Sequence, residues 1–445
     1  MPARMNSLLW RSALTAALGG LLFGFDTAVI AGVTRDLAAT FGLSPEWLGV
    51  TVASALWGTV AGALFGGIPG DRWGRRAALQ GLAFLYVVSA VGSALAWGWW
   101  PLLIFRIIGG LAIGGSSVLG PLYIAEIAPA RSRGRMVGLF QFNVVFGILV
   151  AYLSNYLVGL AQLGSLEWRW KLGVAAAPAV LFFLTLFSIP QSPRWLAQKG
   201  RTEEAEAVLR QIGEENPREQ LHAIVASLHE EETQHSQVLF SRQNRLPVFL
   251  AISIGVFNQL SGINAILYYL NDIFLKGGFS KVSSDLQAVV IGFTNLIFTM
   301  TAMTVIDRFG RRALLLTGSL GTAACLAGVA WIFSAGAHEG LLIWLLVGFI
   351  AFFAFSQGAV IWVYLSEVFP TSVRAKGQSL GSFSHWAMNA VISGIFPAVA
   401  ARYAAAPFAF FAVMMVVQFV VVYLWYPETK GVTLEDVRKK MTAPV

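Results

Sequence analysis

Apolar stretches near 20 residues in length recur twelve times along this chain, and each is long enough to cross about 30 Å of hydrocarbon as a helix. They fall roughly at 9–33, 47–69, 77–97, 100–123, 136–158, 171–189, 247–274, 286–306, 313–334, 341–365, 378–400 and 407–426. With 56% hydrophobic residues, 12% charged residues and a mean hydropathy of +0.67, the chain has too few charges to cover a soluble protein of its size. The expected fold class is an all-α polytopic membrane protein. The first stretch is too long for a signal-peptide core and no small-residue cleavage site follows it, so it reads as a retained helix.

The twelve stretches divide six and six. The phrase Asp-Arg-aromatic-Gly-Arg-Arg occurs as Asp71–Arg76 and again as Asp307–Arg312, 236 residues later, each time between apolar runs. Glu126-x-x-Pro129-x-x-x-Arg133 returns as Glu367-x-x-Pro370-x-x-x-Arg374, and Pro190-Gln191-Ser192-Pro193-Arg194 is answered by Pro427-Glu428-Thr429-Lys430. Such duplication marks a membrane transporter of two related halves. The expected layout is a six-helix bundle over 1–190, a cytoplasmic linker over 191–246, a second six-helix bundle over 247–426 and a tail over 427–445. In the linker, Thr202 is placed to cap a helix with Ala205, Val208, Leu209 and Ile212 on one face and Gly213 as its stop. Leu221, Ile224, Val225 and Leu228, after Pro217, repeat that spacing. The acidic pairs and runs at Glu203-Glu204 and Glu230-Glu231-Glu232 read as solvated charge.

Net charge is +8, yet its placement argues against nucleic acid as a partner. Arg35, Arg169, Lys171, Lys276, Lys281 and Arg402 fall on one side of the bilayer and Arg106 within a span. The other 24 of 31 basic residues fall on the side that holds both termini, which the positive-inside rule makes the cytoplasm. The lone cysteine, Cys325, allows no intrachain disulfide, and no metal cluster is expected. No nucleophile–base pairing or phosphate loop suggests an enzyme, and no cofactor is expected.

The repeated phrases supply an expected cytoplasmic gate of Asp71, Arg75, Arg76, Glu126, Arg133 and Arg194 in one half. Asp307, Arg311, Arg312, Glu367 and Arg374 supply it in the other. Arginines beside glutamates and helix ends can tie helices together there. Arg135 and Lys376 read as headgroup anchors.

At these residues the chain resembles the sugar porter family of the major facilitator superfamily, nearly end to end. Gly24-Phe25-Asp26-Thr27-Ala28-Val29-Ile30, the two basic loops, Arg106-Ile107-Ile108-Gly109-Gly110 and Pro193-Arg194-Trp195-Leu196 carry the likeness. Gln259-Leu260-Ser261-Gly262-Ile263-Asn264, Glu367-x-Phe369-Pro370-Thr371-x-x-Arg374 and Pro427-Glu428-Thr429-Lys430-Gly431 complete it. The basic loop marks only the superfamily, whereas Gln-Leu-Ser-Gly-Ile-Asn with Pro-Glu-Thr-Lys-Gly is far more specific. The resemblance implies the twelve-helix fold, a monosaccharide as substrate, a lipid bilayer as surroundings and a monomer. The short loops and tail fit a bacterial inner membrane.

A sugar is a ring of hydroxyls with small apolar faces, and uncharged amides and aromatic rings suit both. The seventh stretch offers Asn258, Gln259, Asn264 and Tyr268. Gln259 and Tyr268 stand two and a half turns apart, so they share a face only if the helix breaks, and Ser261-Gly262 is the place for a break. Gln141, Asn295, Trp362, His385, Trp386 and Asn389 are the other polar or indole residues inside spans. The resemblance implies sugar contacts for Gln141, Gln259, Asn264, Asn295, Trp386 and Asn389 and a cavity wall for Trp362. The competing reading of any one amide is an inter-helix hydrogen bond. Phe23 and Tyr269 read as packing. Three positions depart from the family: Asn258 replaces a usual Gln, His385 replaces a frequent Gln, and Gln191 replaces a usual Glu.

Asp26 and Arg106 are ionisable groups among apolar neighbours and are functional candidates on that ground. In the family an acid at Asp26 is typical of proton-coupled symporters, with Arg106 its matching arginine. The expected mechanism is proton symport by alternating access, in which protonation of Asp26 breaks its pair with Arg106. The competing readings are facilitative uniport, transport of a polyol such as inositol and, from another class, a non-transporting sugar sensor.

Overall fold

The computed structural model describes residues 6–129, 132–233, 239–369 and 373–430. Pro370, Thr371, Gly431 with the tail beyond Lys430, and the side chains of Glu230, Glu231 and Glu232 lie outside the described residues. Among the described residues every element is helical. Eleven helical segments are long and apolar enough to cross a membrane: Ser7–Gly32, Pro45–Phe65, Arg75–Ala94, Trp99–Ile127, Arg133–Leu160, Gly164–Ser188, Arg242–Tyr268, Lys281–Phe309, Arg311–Ala335, Glu339–Glu367 and Ala406–Trp425. The helix Arg374–Arg402 takes the eleventh place in the sequence of twelve. It falls short of the apolar threshold because Ser382, Ser384, His385, Asn389 and Ser393 lie inside it. The spans are numbered below in this order, one to twelve.

Glycines set the closeness of several spans. A Cβ on Gly24 would meet the carbonyl of Val144, one on Gly147 that of Leu21, and one on Gly114 that of Thr59. Spans one and five, and spans two and four, thus pack backbone to backbone, the contact that holds helices together where lipid supplies no hydrophobic drive. Span seven breaks where expected. Its first helix ends at Leu260, Gly262 takes φ +79°, and a second helix starts at Ile263. The apolar span ends at Tyr268 rather than 274, and a separate short helix, Leu270–Lys276, continues beyond it.

The linker forms three helices: Pro193–Gln198, Thr202–Gln211 and Pro217–Thr233. The first had not been anticipated; the Ser192 hydroxyl caps it by accepting from Trp195 N–H at 3.2 Å. Thr202 is not a cap. The capping position is Arg201, which makes no side-chain cap bond and instead forks onto Glu204 at 2.6 and 2.7 Å. Gly213 ends that helix at φ +84°, as its place in the sequence predicts. Ala205, Val208, Leu209, Ile212, Leu221 and Ile224 are buried in one cluster with Leu79, Ala83 and Ile189 of the first repeat.

By contacts the helices form two compact units. The first takes Met1–Thr27, Trp57–Ala151 and Arg169–Ser236; the second takes Ala28–Leu56, Tyr152–Trp168 and Gln237–Val445. The ends of spans one, two, five and six remote from the basic loops therefore belong with the second repeat. That remote end is called the far end below.

Candidate functional site

The second unit gathers a set of uncharged polar side chains around the break in span seven. Asn258 and Gln259 lie in its last helical turn before Gly262, and both are buried. Gln259 is the hub. Its Nε2 donates to Asn258 Oδ1 at 3.2 Å and lies 3.2 and 3.3 Å from the two ring nitrogens of His385 in span eleven. Its Oε1 accepts from Asn264 Nδ2 at 3.1 Å, across the break. Asn258 in turn donates to the Gln357 carbonyl at 3.4 Å. A neutral imidazole has one acceptor nitrogen to offer that amide, so it occupies a Gln259 N–H in this structure.

Two rings flank His385: Trp362 at 5.3 Å between centroids and Trp386 edge-on at 5.1 Å. Trp386 is buried, while Trp362 is 40% exposed. One turn further along span eleven, Asn389 donates to the Tyr268 hydroxyl at 3.2 Å and accepts from Ser393 at 3.0 Å. His385 and Asn389, four residues apart, share one face. Asn258, Gln259, Asn264, His385, Trp362 and Trp386 thus form one cluster, and Tyr268 with Asn389 a second, one turn further along span eleven. Asn295 is buried and accepts from Thr299 at 3.4 Å within span eight. Gln141 is half-buried on span five, in the first unit. Tyr269 is packing: its ring stacks on Phe396 at 5.2 Å and its hydroxyl donates to the Ser393 carbonyl.

The first unit holds the charged pair. Arg106 Nη1 in span four donates to Asp26 Oδ1 in span one at 2.5 Å, with Arg106 only 4% exposed. A buried ion pair persists only when its geometry repays desolvation. The buried Tyr86 and Ser116 hydroxyls, 2.9 Å apart, lie in the same bundle.

At the basic end each repeat builds the same device. Arg75, at the start of span three, bonds Asp71 at 2.7 Å and Glu126 at 3.0 Å, while Arg311 bonds Asp307 at 2.9 Å and Glu367 at 2.8 Å. These pairs join helices of one repeat. Arg76 donates to the Ile189 carbonyl at 3.0 Å and Arg312 to that of Tyr423 at 2.6 Å. Arg194 donates to Ser227 of the linker at 3.1 Å and Arg374 to the Phe369 carbonyl at 3.4 Å. Arg133 is exposed and pairs with none of the described acids.

Several polar residues escaped the sequence reading. Gln357 and Gln418 are buried with an amide oxygen that finds no partner among the described residues. Their signal was a lone Gln in an apolar run, the same signal that marked Gln141. The far end was missed altogether. There Lys281 reaches Glu167 at 3.1 Å and Asp36 at 3.4 Å, and the Tyr152 hydroxyl donates to the Leu267 carbonyl at 2.8 Å. A Cβ on Gly49 would meet the Gly394 carbonyl. First-repeat and second-repeat segments are therefore tightly joined at this end.

The family model described as "Sugar (and other) transporter" matches residues 12–440. The arabinose-proton symporter of Bacillus subtilis (strain 168) is 37% identical, over 95% of this chain and 93% of that protein. The D-xylose-proton symporter of Escherichia coli (strain K12) is 34% identical, over 97% and 95%. An inward-open structure of the E. coli xylose transporter XylE superposes with a TM-score of 0.87 at 33% identity, covering 97% of this chain and 99% of that one. With the match running almost the full length, the chain belongs to the sugar transporter family.

Proposed function

We infer that this protein imports a monosaccharide, a pentose or hexose, by proton symport through alternating access. The observation that carries the reading is the Asp26–Arg106 pair, a carboxylate and a guanidinium in direct contact between apolar spans. Such charges are expensive in a bilayer and mark proton or substrate pathways. The arabinose and xylose symporters among the relatives support it. On this reading, ionised Asp26 holds span one to span four. A proton taken up by Asp26 releases Arg106 and lets the helices move, and its release on the other side resets the pair.

The sugar is assigned to the neutral cluster. Asn258, Gln259, Asn264, Asn295, His385 and Asn389 read hydroxyls, Trp386 and Trp362 cover the apolar face, and Tyr268 orients Asn389. The amides now bonded to one another are the groups that exchange those bonds for sugar hydroxyls. Both termini and the basic loops are assigned to the cytoplasm of the inner membrane, with the far end outside. The carrier is assigned as a monomer with two six-helix bundles. The two arginine–glutamate devices brace the cytoplasmic ends of those bundles, where Arg133, Arg194 and Arg374 contribute to the gate.

One proton crossing about 150 mV gains roughly 3.5 kcal/mol, enough for about a 300-fold sugar gradient. In proteoliposomes, Asp26→Asn is expected to lose uphill accumulation of labelled sugar while keeping counterflow exchange. Accumulation by Asp26→Asn under an imposed pH gradient would overturn the coupling.

A further inference from the structure

Past the end of span seven, the helix Leu270–Lys276 packs on the turn Ile30–Gly32 of the first repeat and on the start of span eight. Asp272 lies on this helix and lines a small pocket together with Thr34, Arg35, Asp36, Lys281 and Asp285. The charged groups that face it come from every neighbouring element. Arg35 and Asp36 belong to the helix Thr34–Phe41, Lys276 lies one turn along its own helix, and Lys281 and Asp285 come from span eight. Asn271 bonds Asp285, and Lys281 carries the network on to Glu167. Burial pushes the Asp272 carboxyl up to about 6, against the opposing pull of the Thr34 hydroxyl, Lys276 and Arg35. Burial also pulls Lys276 below its ordinary value, with Asp272 opposing.

We propose that Asp272 is a second proton site, separate from Asp26, whose occupancy is linked to closure of the far end. The proposal rests on the reading of the chain as an alternating-access carrier with this end facing outward. The wall against Asp272 is made by first-repeat residues Gly32 to Asp36, so opening this end withdraws the wall and wets the carboxyl. In the open form Asp272 then titrates near the ordinary value of 3.8. The closed form has the raised value, so the proton favours closure. That contribution is complete below the ordinary value and is lost as pH rises through about 6. Between pH 8 and pH 5 the closed-to-open ratio is expected to rise roughly tenfold. A proton taken from an acidic exterior thereby helps shut the entrance behind the sugar.

The test is the distance between spin labels at Thr40→Cys and Ala401→Cys, both exposed positions at this end. The background carries Cys325→Ser, and Asp26→Asn to remove the other proposed coupling acid. The closed population is expected to grow roughly tenfold relative to the open one from pH 8 to pH 5. Asp272→Asn is expected to abolish that slope and hold the ratio at its acid limit, while Asp272→Glu keeps a slope. Thr34→Val, which retains the carboxyl but removes the bond to its ionised form, is expected to move the midpoint upward. A parent slope that persists in Asp272→Asn, or a parent with no slope, overturns the proposal. Counterflow of labelled arabinose or xylose, and the sugar-dependent distance change, by the labelled carrier with Asp26 intact separate the two levels. If exchange runs without the slope, only the Asp272 site fails. If there is neither exchange nor a sugar-dependent distance change, the carrier reading fails with it.

Discussion

The basic ends of the two repeats are built on one plan, and the side chain that meets the start of each repeat's third span is neutral in one and charged in the other. Gly74 and Gly310 precede spans three and nine at nearly identical angles, φ +94° ψ 153° and φ +86° ψ 157°. Each glycine leaves the first N–H groups of its span facing a side chain from the phrase after the repeat's last span. In the first repeat that side chain is Gln191, whose one amide oxygen accepts from Arg76 N–H at 3.0 Å and Ser192 N–H at 3.2 Å. In the second it is Glu428, whose two oxygens accept from Arg311, Arg312, Thr429 and Lys430 N–H groups at 2.9 to 3.0 Å. Thr429 also donates to Glu367 at 2.6 Å, whereas its counterpart Ser192 turns away to cap the linker helix. The second repeat closes its end on itself, while the first surrenders those groups to start the linker. A duplicated motif is thus reshaped by whatever chain must follow it.

The central arginine is the point where the two ends can be separated most sharply. Glu126 is the more buried acid, with its side chain 4% exposed against 24% for Glu367. Removing one partner of a buried pair leaves an uncompensated charge, an effect of about 3–5 kcal/mol. Glu126→Gln is therefore expected to destabilise the purified carrier by about 3 kcal/mol in a denaturant or thermal melt. Glu367→Gln is expected to cost roughly half as much, because solvent screens it more. Equal losses would show that burial does not distinguish the two ends.

The two glycines come next, and here the repeats should behave alike. With φ near +90° and ψ near +155°, both occupy a region essentially restricted to glycine, at about 1–3 kcal/mol for any other residue. A Cβ at Gly74 would also press on Gln191 Nε2, and one at Gly310 on Glu428 Oε2. Gly74→Ala and Gly310→Ala are each expected to lose about 2 kcal/mol in the same melts. A loss at one position only would break the equivalence of the backbones.

Much of this was legible in the sequence, for reasons that particular residues make plain. Long apolar runs give spans because backbone polar groups in lipid must bond within a helix. Ser261-Gly262 announced a break because positive φ belongs to glycine, and Gly262 adopts it. Asp26 and Arg106 were conspicuous because each stands among uncharged neighbours, the other charges of their spans, Arg11 and Glu126, lying near the span ends, and they do meet. Partner choice was less legible. Glu126 and Glu367 stand near Arg133 and Arg374 in sequence, yet their bonds go to Arg75 and Arg311, which only the fold brings near. The far end was illegible because Asp36, Glu167 and Lys281 look like solvated loop charges until packing joins them. Thr202 failed as a cap because Arg201 occupies the turn before it.

The smallest effect is the most direct test of the charge that Glu428 carries and Gln191 lacks. A carboxylate at a helix N-terminus gains from the positive end of the helix dipole and from charge-assisted bonds, where an amide offers one neutral acceptor. Such a charge is worth about 0.3–1 kcal/mol when exposed and up to about 2 kcal/mol when partly buried. Glu428→Gln is accordingly expected to lose about 1 kcal/mol in a melt, since four N–H groups then share one oxygen. Gln191→Glu is expected to stabilise the first end by less, because only two N–H groups point at that oxygen and Ser192 remains committed to Trp195. Loss at 428 with gain at 191 would show that the charge at this position acts alike in both ends. Loss at both would mean that each end has been refitted around its own residue, and that restoring the symmetry of the sequence no longer restores the symmetry of the structure.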